Sequence, residues 1–137
     1  MIEEAYCSYE TSKLLKEKGF DEVMRCWYDN YGEFHEDGCK MRNSDCLPLT
    51  IMAPTLAFAM MWLREVHGWH ISLEPCYDYD SMHVIYLAFV QNVADVHTFM
   101  DGRKNVASHP QAESAAEFAI KYCLKNLITE RYGNKNH

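Results

Sequence analysis

In "QAESAAEFAIKYCLKNLITERYG", residues 111–133, Ala116, Ile120, Cys123 and Leu127 recur at intervals of four, three and four. That spacing places all four on one face of an α-helix. A helix with one apolar face has to bury it against another element, so the chain must build a layered core. The opposite stripe, Glu113, Glu117, Lys121 and Lys125, sets carboxylates one turn ahead of lysines. It reads as solvated surface with no functional role.

Two further helices carry their own stop signals. "SYETSKLLKEKGF" starts at Ser8, a good capping residue, and stops at Gly19, which takes the left-handed conformation at a helix end. Phe20 then falls where it can fold back on Leu15. "TLAFAMMWLREVHGW" ends in the same way at Gly68, with Pro54 suited to its first turn. Being apolar almost all round, it is expected to be the most deeply buried element.

Strands fall between the helices. "EVMRCWYDN" alternates, and "DNYG" is turn chemistry leading back into "EFHE", which predicts a hairpin. "HISLE" alternates as well, while "HVIYLAFV" is apolar at both phases, as in a central strand or an oligomer interface. Connections this short favour antiparallel pairing. The expected fold is one α+β domain over residues 1–137: a small antiparallel sheet of three to four strands packed against three helices, the second and third forming most of the core. Residues 37–53 and 91–111 are left as long loops, and loops of that length usually bind something or are disordered.

A net charge of −7 opposes binding to a phosphate backbone, so no nucleic-acid partner is expected. The longest apolar stretch, "LTIMAPTLAFAMMWL", is shorter than the roughly twenty residues of a membrane span and contains Pro54, so no membrane association is expected either. "MIEEAYCSYE" has two glutamates where a secretory leader carries positive charge, which makes the cytoplasm the expected compartment. The six cysteines are therefore read as thiols rather than disulfides.

No H-E-x-x-H, nucleophile elbow or phosphate loop occurs, no cofactor is expected, and the reading leans away from an enzyme. In "HEDGCKMRNSDC" the residues His35, Cys39 and Cys46 are weak metal candidates, because the set lacks the closely paired cysteines of a zinc knuckle. An alternative site near the strand ends would combine His70, Asp78, Asp80 and His83, with or without a metal. Trp27, Tyr31, Phe34, Trp69 and Tyr77 are candidate interface aromatics, against the simpler role of filling the core.

The segments "YETSKLLKEKGFDE", "CWYDNYGEF", "PTLAFAMMWLREVHG" and "AAEFAIKYCLKNLI" resemble small uncharacterised proteins of gut Bacteroidetes associated with their phages and mobile elements. The resemblance spans nearly the whole chain and implies a compact α+β fold and a genomic setting. It carries no activity and no functional residue. The leading expectation is a non-enzymatic accessory protein that binds another protein and forms homo-oligomers. The alternatives are the small enzyme or metal-binding protein above, and an acidic mimic of nucleic acid.

Overall fold

The computed structural model describes residues 4–128, apart from the side chains of residues 37 and 38. The ends of the expected 1–137 domain and of its last helix lie outside the described residues. Helix α1 spans Tyr9–Glu17 and the hairpin β1 (Met24–Tyr28) and β2 (Phe34–Met41) follows. A 3₁₀ turn at Asn43–Asp45 leads to the two-residue strand β3 (Ile51–Met52), then to α2 (Leu56–His67). The hairpin β4 (Trp69–Asp78) and β5 (His83–Asn92) precedes the short α3 (Val96–Met100), strand β6 (Lys104–His109) and α4 (Ala112–Tyr122), which runs on into a π-helical turn.

The α+β class is as expected, with differences in the count. Among the described residues the strands form two three-stranded antiparallel sheets, ordered β2–β1–β3 and β4–β5–β6, and the helices number four. An isolated bridge between Tyr6 and Thr55 extends the line of β3. Neither long segment is a plain loop. Residues 37–53 hold the rest of β2, the 3₁₀ turn and β3, while residues 91–111 hold the end of β5, α3 and β6. Asn43 shows how the first is fastened: its Nδ2 donates to the Phe20 carbonyl at 2.8 Å and its Oδ1 accepts from the Met52 N–H at 2.9 Å. A buried amide that satisfies two distant backbone groups fixes the path of the chain between them.

The helix ends follow the sequence signals. The Ser8 Oγ accepts from the Thr11 N–H at 3.2 Å, and the Phe20 N–H returns to the Leu15 carbonyl at 2.9 Å beyond Gly19. Gly68 has φ +75°, and a Cβ there would overlap that of Ala94, so the position needs glycine for both conformation and space. Pro54 precedes the α2 cap, Thr55, rather than lying in the first turn.

The core lies between the helices and the second sheet. Ile71, Ala88 and Val90 meet Leu56, Ala59, Trp62 and Leu63 of α2 and the small-residue face of α4, Ala115, Ala116 and Ala119. Helix α2 is less enclosed than its composition suggests, since Met61 and Val66 are exposed. Alanines let α4 approach the sheet and its neighbours closely, so α4 touches α1, α2, β4, β5 and β6.

The polar stripe of α4 is not simple solvated surface. The half-buried Glu117 carboxylate accepts from the Ser8 N–H at 3.1 Å, the Ser8 hydroxyl at 2.8 Å and the Thr11 hydroxyl. It occupies the positive end of α1, where a carboxylate is favoured. Lys121 pairs instead with Glu10 at 3.0 Å. Hydrogen bonds to a charged group contribute about 1.5–3 kcal/mol each. Glu117→Ala should therefore cost about 2–4 kcal/mol, seen as a lower urea midpoint with unchanged slope.

Candidate functional site

Two hairpin ends leave the core. Strands β4 and β5 pair over ten residues each, from Trp69 opposite Asn92 to Asp78 opposite His83, but β6 joins only as far as His109 opposite Tyr86. Past that row the hairpin continues for about 10 Å as two strands. Exposure climbs along one face accordingly, from 6% at Ile71 to 44% at Tyr77 and from 3% at Val90 to 50% at Val84.

The tip is apolar, aromatic and acidic at once. Tyr79 is 80% exposed and Met82 65%, and the Tyr77 and Tyr79 rings meet edge to face at 4.9 Å. The turn closes by a 2.8 Å bond from the Met82 N–H to the Asp78 carbonyl. Met82 has φ +62°, among the described residues the one left-handed position not held by glycine. That conformation costs a side-chain-bearing residue about 1–2 kcal/mol. A hydrogen bond from Ser81, with the Asp80 and Ser81 N–H groups, holds the Asp78 carboxyl below its ordinary 3.8.

At the other hairpin, Asp29 opens the turn between β1 and β2. Its Oδ1 accepts from the Tyr31 and Glu33 N–H groups at 2.8 and 3.0 Å, and its Oδ2 lies 2.8 Å from the His35 Nε2. The His35 hydrogen bond, followed by those backbone donors, holds the Asp29 carboxyl below its ordinary range. The imidazole stacks on Trp27 at 4.2 Å with 16° between planes. Asp29, Glu33 and His35 present donor atoms that all lie within 4.8 Å of one another.

The expected constellations are not assembled. Cys39 is exposed and the Cys46 Sγ turns to the Arg42 carbonyl at 3.2 Å, so neither cysteine joins His35 among the described residues; the donors that do are acidic and lie upstream, across the turn. His70 stands opposite Gln91, eight residues along β4 from Asp78, about 26 Å away in an extended strand. Asp78, Asp80 and His83 share the tip without it. Among the interface aromatics, Tyr31 (84%), Phe34 (41%) and Tyr77 are exposed, Trp27 is half-buried against His35, and Trp69 packs on the core. They belong to separate surfaces. Tyr79, one of the aromatics of the sequence beside the turn aspartates of "DYDSM", shares the tip with Tyr77, and so does Met82, which no sequence pattern singles out.

The cysteines form no disulfide, and Cys7, Cys26 and Cys123 are buried. Burial pushes the Cys123 thiol up to about 12, and raises Cys7 too, so both behave as small apolar side chains. An open cavity of about 440 Å³ beside the Glu117 network is lined by Tyr6, Ser8, Glu10, Phe118 and Lys121. Its Ser8 hydroxyl already caps α1 and its Glu117 carboxylate already has three donors, so neither is poised for catalysis. Among the described residues no helix is long and apolar enough to cross a membrane. No protein-family model, curated protein or solved structure matches the chain.

Since the folded pKa of Asp78 lies below 3.8, its contribution to tip order is present above that value and is lost as pH falls through the folded one. A carboxyl-carbon NMR titration should place the Asp78 midpoint below 3.8, and Ser81→Ala should bring it back toward 3.8.

Proposed function

We propose that the chain is a non-enzymatic accessory protein, cytoplasmic and of phage or mobile-element origin, that acts by binding another protein through the projecting end of the β4–β5 hairpin. The observation that carries this reading is the tip itself: Tyr77, Tyr79, Met82 and Val84 stand exposed on a two-stranded extension beyond the reach of the third strand. Tyrosines supply rigid, amphipathic contact area at low entropic cost, and interface energy concentrates in a few such anchors.

Met82 adds to it. A turn position with positive φ is most stable with glycine, yet here it carries a long, adaptable thioether side chain exposed to solvent. Local strain of this kind accompanies binding sites, where contact with a ligand offsets it. Asp78 and Asp80 flank the apolar surface, so the fitting partner offers an apolar pocket with a basic rim. The resemblance to phage- and mobile-element-associated proteins supports the origin. Self-association has separate support in the second apolar phase of β5, Ile85, Leu87 and Phe89, which faces away from α2 and α4 and is half-buried.

The test is a photo-reactive phenylalanine at position 79, with one at Lys125 on the exposed side of the last turn as control. A discrete adduct from position 79 and none from 125 is expected. With the captured protein purified, Tyr79→Ala should weaken binding by about tenfold or more. Met82→Gly should weaken it too while leaving stability unchanged or raised by up to about 1 kcal/mol. Equal adducts from both positions, or an affinity indifferent to Tyr79, would rule out the tip. Light scattering shows whether the captured partner is a second copy.

A further inference from the structure

We propose that Asp29, Glu33 and His35 form a binding site for one divalent first-row transition ion of the Zn²⁺ type. The inference is independent of the hairpin-tip reading and rests on the opposite hairpin.

The backbone already holds the three residues in place. The Asp29 N–H donates to the Glu33 carbonyl at 3.0 Å, and β1 and β2 pair Tyr28 with Phe34 and Trp27 with His35. Two side chains are also aimed. With the Asp29 Oδ1 taken by two backbone donors, its Oδ2 is the oxygen turned toward the His35 imidazole. Stacking on Trp27 fixes the plane of the His35 ring, as outer partners do for ligating imidazoles. An ion about 2.0–2.2 Å from nitrogen and oxygen donors keeps them roughly 3–3.5 Å apart. The present donors lie between 2.8 and 4.8 Å from one another, so side-chain torsions alone reach that arrangement.

The charges at the turn also leave a place for a cation. An Asp29–His35 pair uses two of the three groups, while Glu33 sets a second carboxylate beside the first and, among the described residues, pairs with no lysine or arginine. The donor set fixes the class of ion. An imidazole favours Zn²⁺, Ni²⁺ or Cu²⁺ over the all-oxygen preferences of Ca²⁺ and Mg²⁺, and the set contains no thiolate. Three protein donors on an exposed turn leave further coordination positions to water or to a donor from another molecule.

Co²⁺, a spectroscopic stand-in for Zn²⁺, tests this on the full chain with reduced thiols. Saturable one-to-one binding is expected, giving ligand-field bands of nitrogen and oxygen coordination, no thiolate charge-transfer band, and displacement by Zn²⁺. His35→Ala and Glu33→Gln should each lower affinity by about tenfold or more. Glu33→Gln is the variant that spares the fold, because among the described residues the Glu33 side chain makes no hydrogen bond. Zn²⁺ should shift the Trp27 indole NMR signal in the parent chain and leave it in place in Glu33→Gln. A thiolate band, absence of saturation, or equal affinity in parent and both variants, the mark of an adventitious ion only, would each overturn the site.

Discussion

The carboxylate of Glu117 at the first turn of α1 is the contact on which the arrangement of this molecule turns. It joins residues more than a hundred positions apart and satisfies donors that a helix start would otherwise leave exposed. Its bearer, α4, lies close to the second sheet because three of its four buried residues are alanine. Small side chains on one side and a fixed carboxylate on the other let a single helix lean on the sheet and fasten α1. The adjacent strand segment follows: the Cys7 N–H donates to the Pro54 carbonyl at 2.9 Å and the Tyr28 hydroxyl to the Cys7 carbonyl at 2.6 Å. The first sheet is thereby tied to the helical layer.

Packing this close leaves little room for chemistry inside. The buried Cys7 and Cys123 thiols are held protonated, and the Ser8 and Thr11 hydroxyls near Glu117 are committed to capping and to its carboxylate. The exposed groups singled out above lie at the turns of the two hairpins. At the β4–β5 end the strands have lost their third partner, whereas at the β1–β2 end β1 stays paired on both sides up to Tyr28 and the turn itself carries the exposed groups. Both candidate surfaces are hairpin ends. One offers aromatic and apolar contact area and the other a set of donor atoms, and they belong to different sheets. Arg103 illustrates the opposite outcome: its guanidinium lies 3.9 Å above the Phe89 ring and pairs with Glu74, which partly covers the outer face of β5.

Local signals were legible wherever the physics is local. Ser8, Gly19 and Gly68 mark helix ends because capping and left-handed backbone are decided within a few residues. The two hairpins were legible for the same reason. The last strand, β6, was not: "KNVASH" has no apolar alternation, since as a short edge strand it has mostly exposed side chains. Strand β3, two residues long, has too little sequence to show a period. Linear spacing points from His35 downstream to the cysteines, whereas the turn brings upstream residues across the strand pair, which spacing does not display.

The sequence by itself determined the class of fold, the antiparallel hairpins and the helix that anchors the core, since periodicity and end signals are properties of neighbouring residues. Only the tertiary structure decided that the strands divide into two sheets, that Glu117 turns inward rather than to solvent, and that Asp29 and Glu33, not the cysteines, stand beside His35. Each of those outcomes depends on which distant segments come together, and that is settled by close packing and by the pairing of buried polar groups.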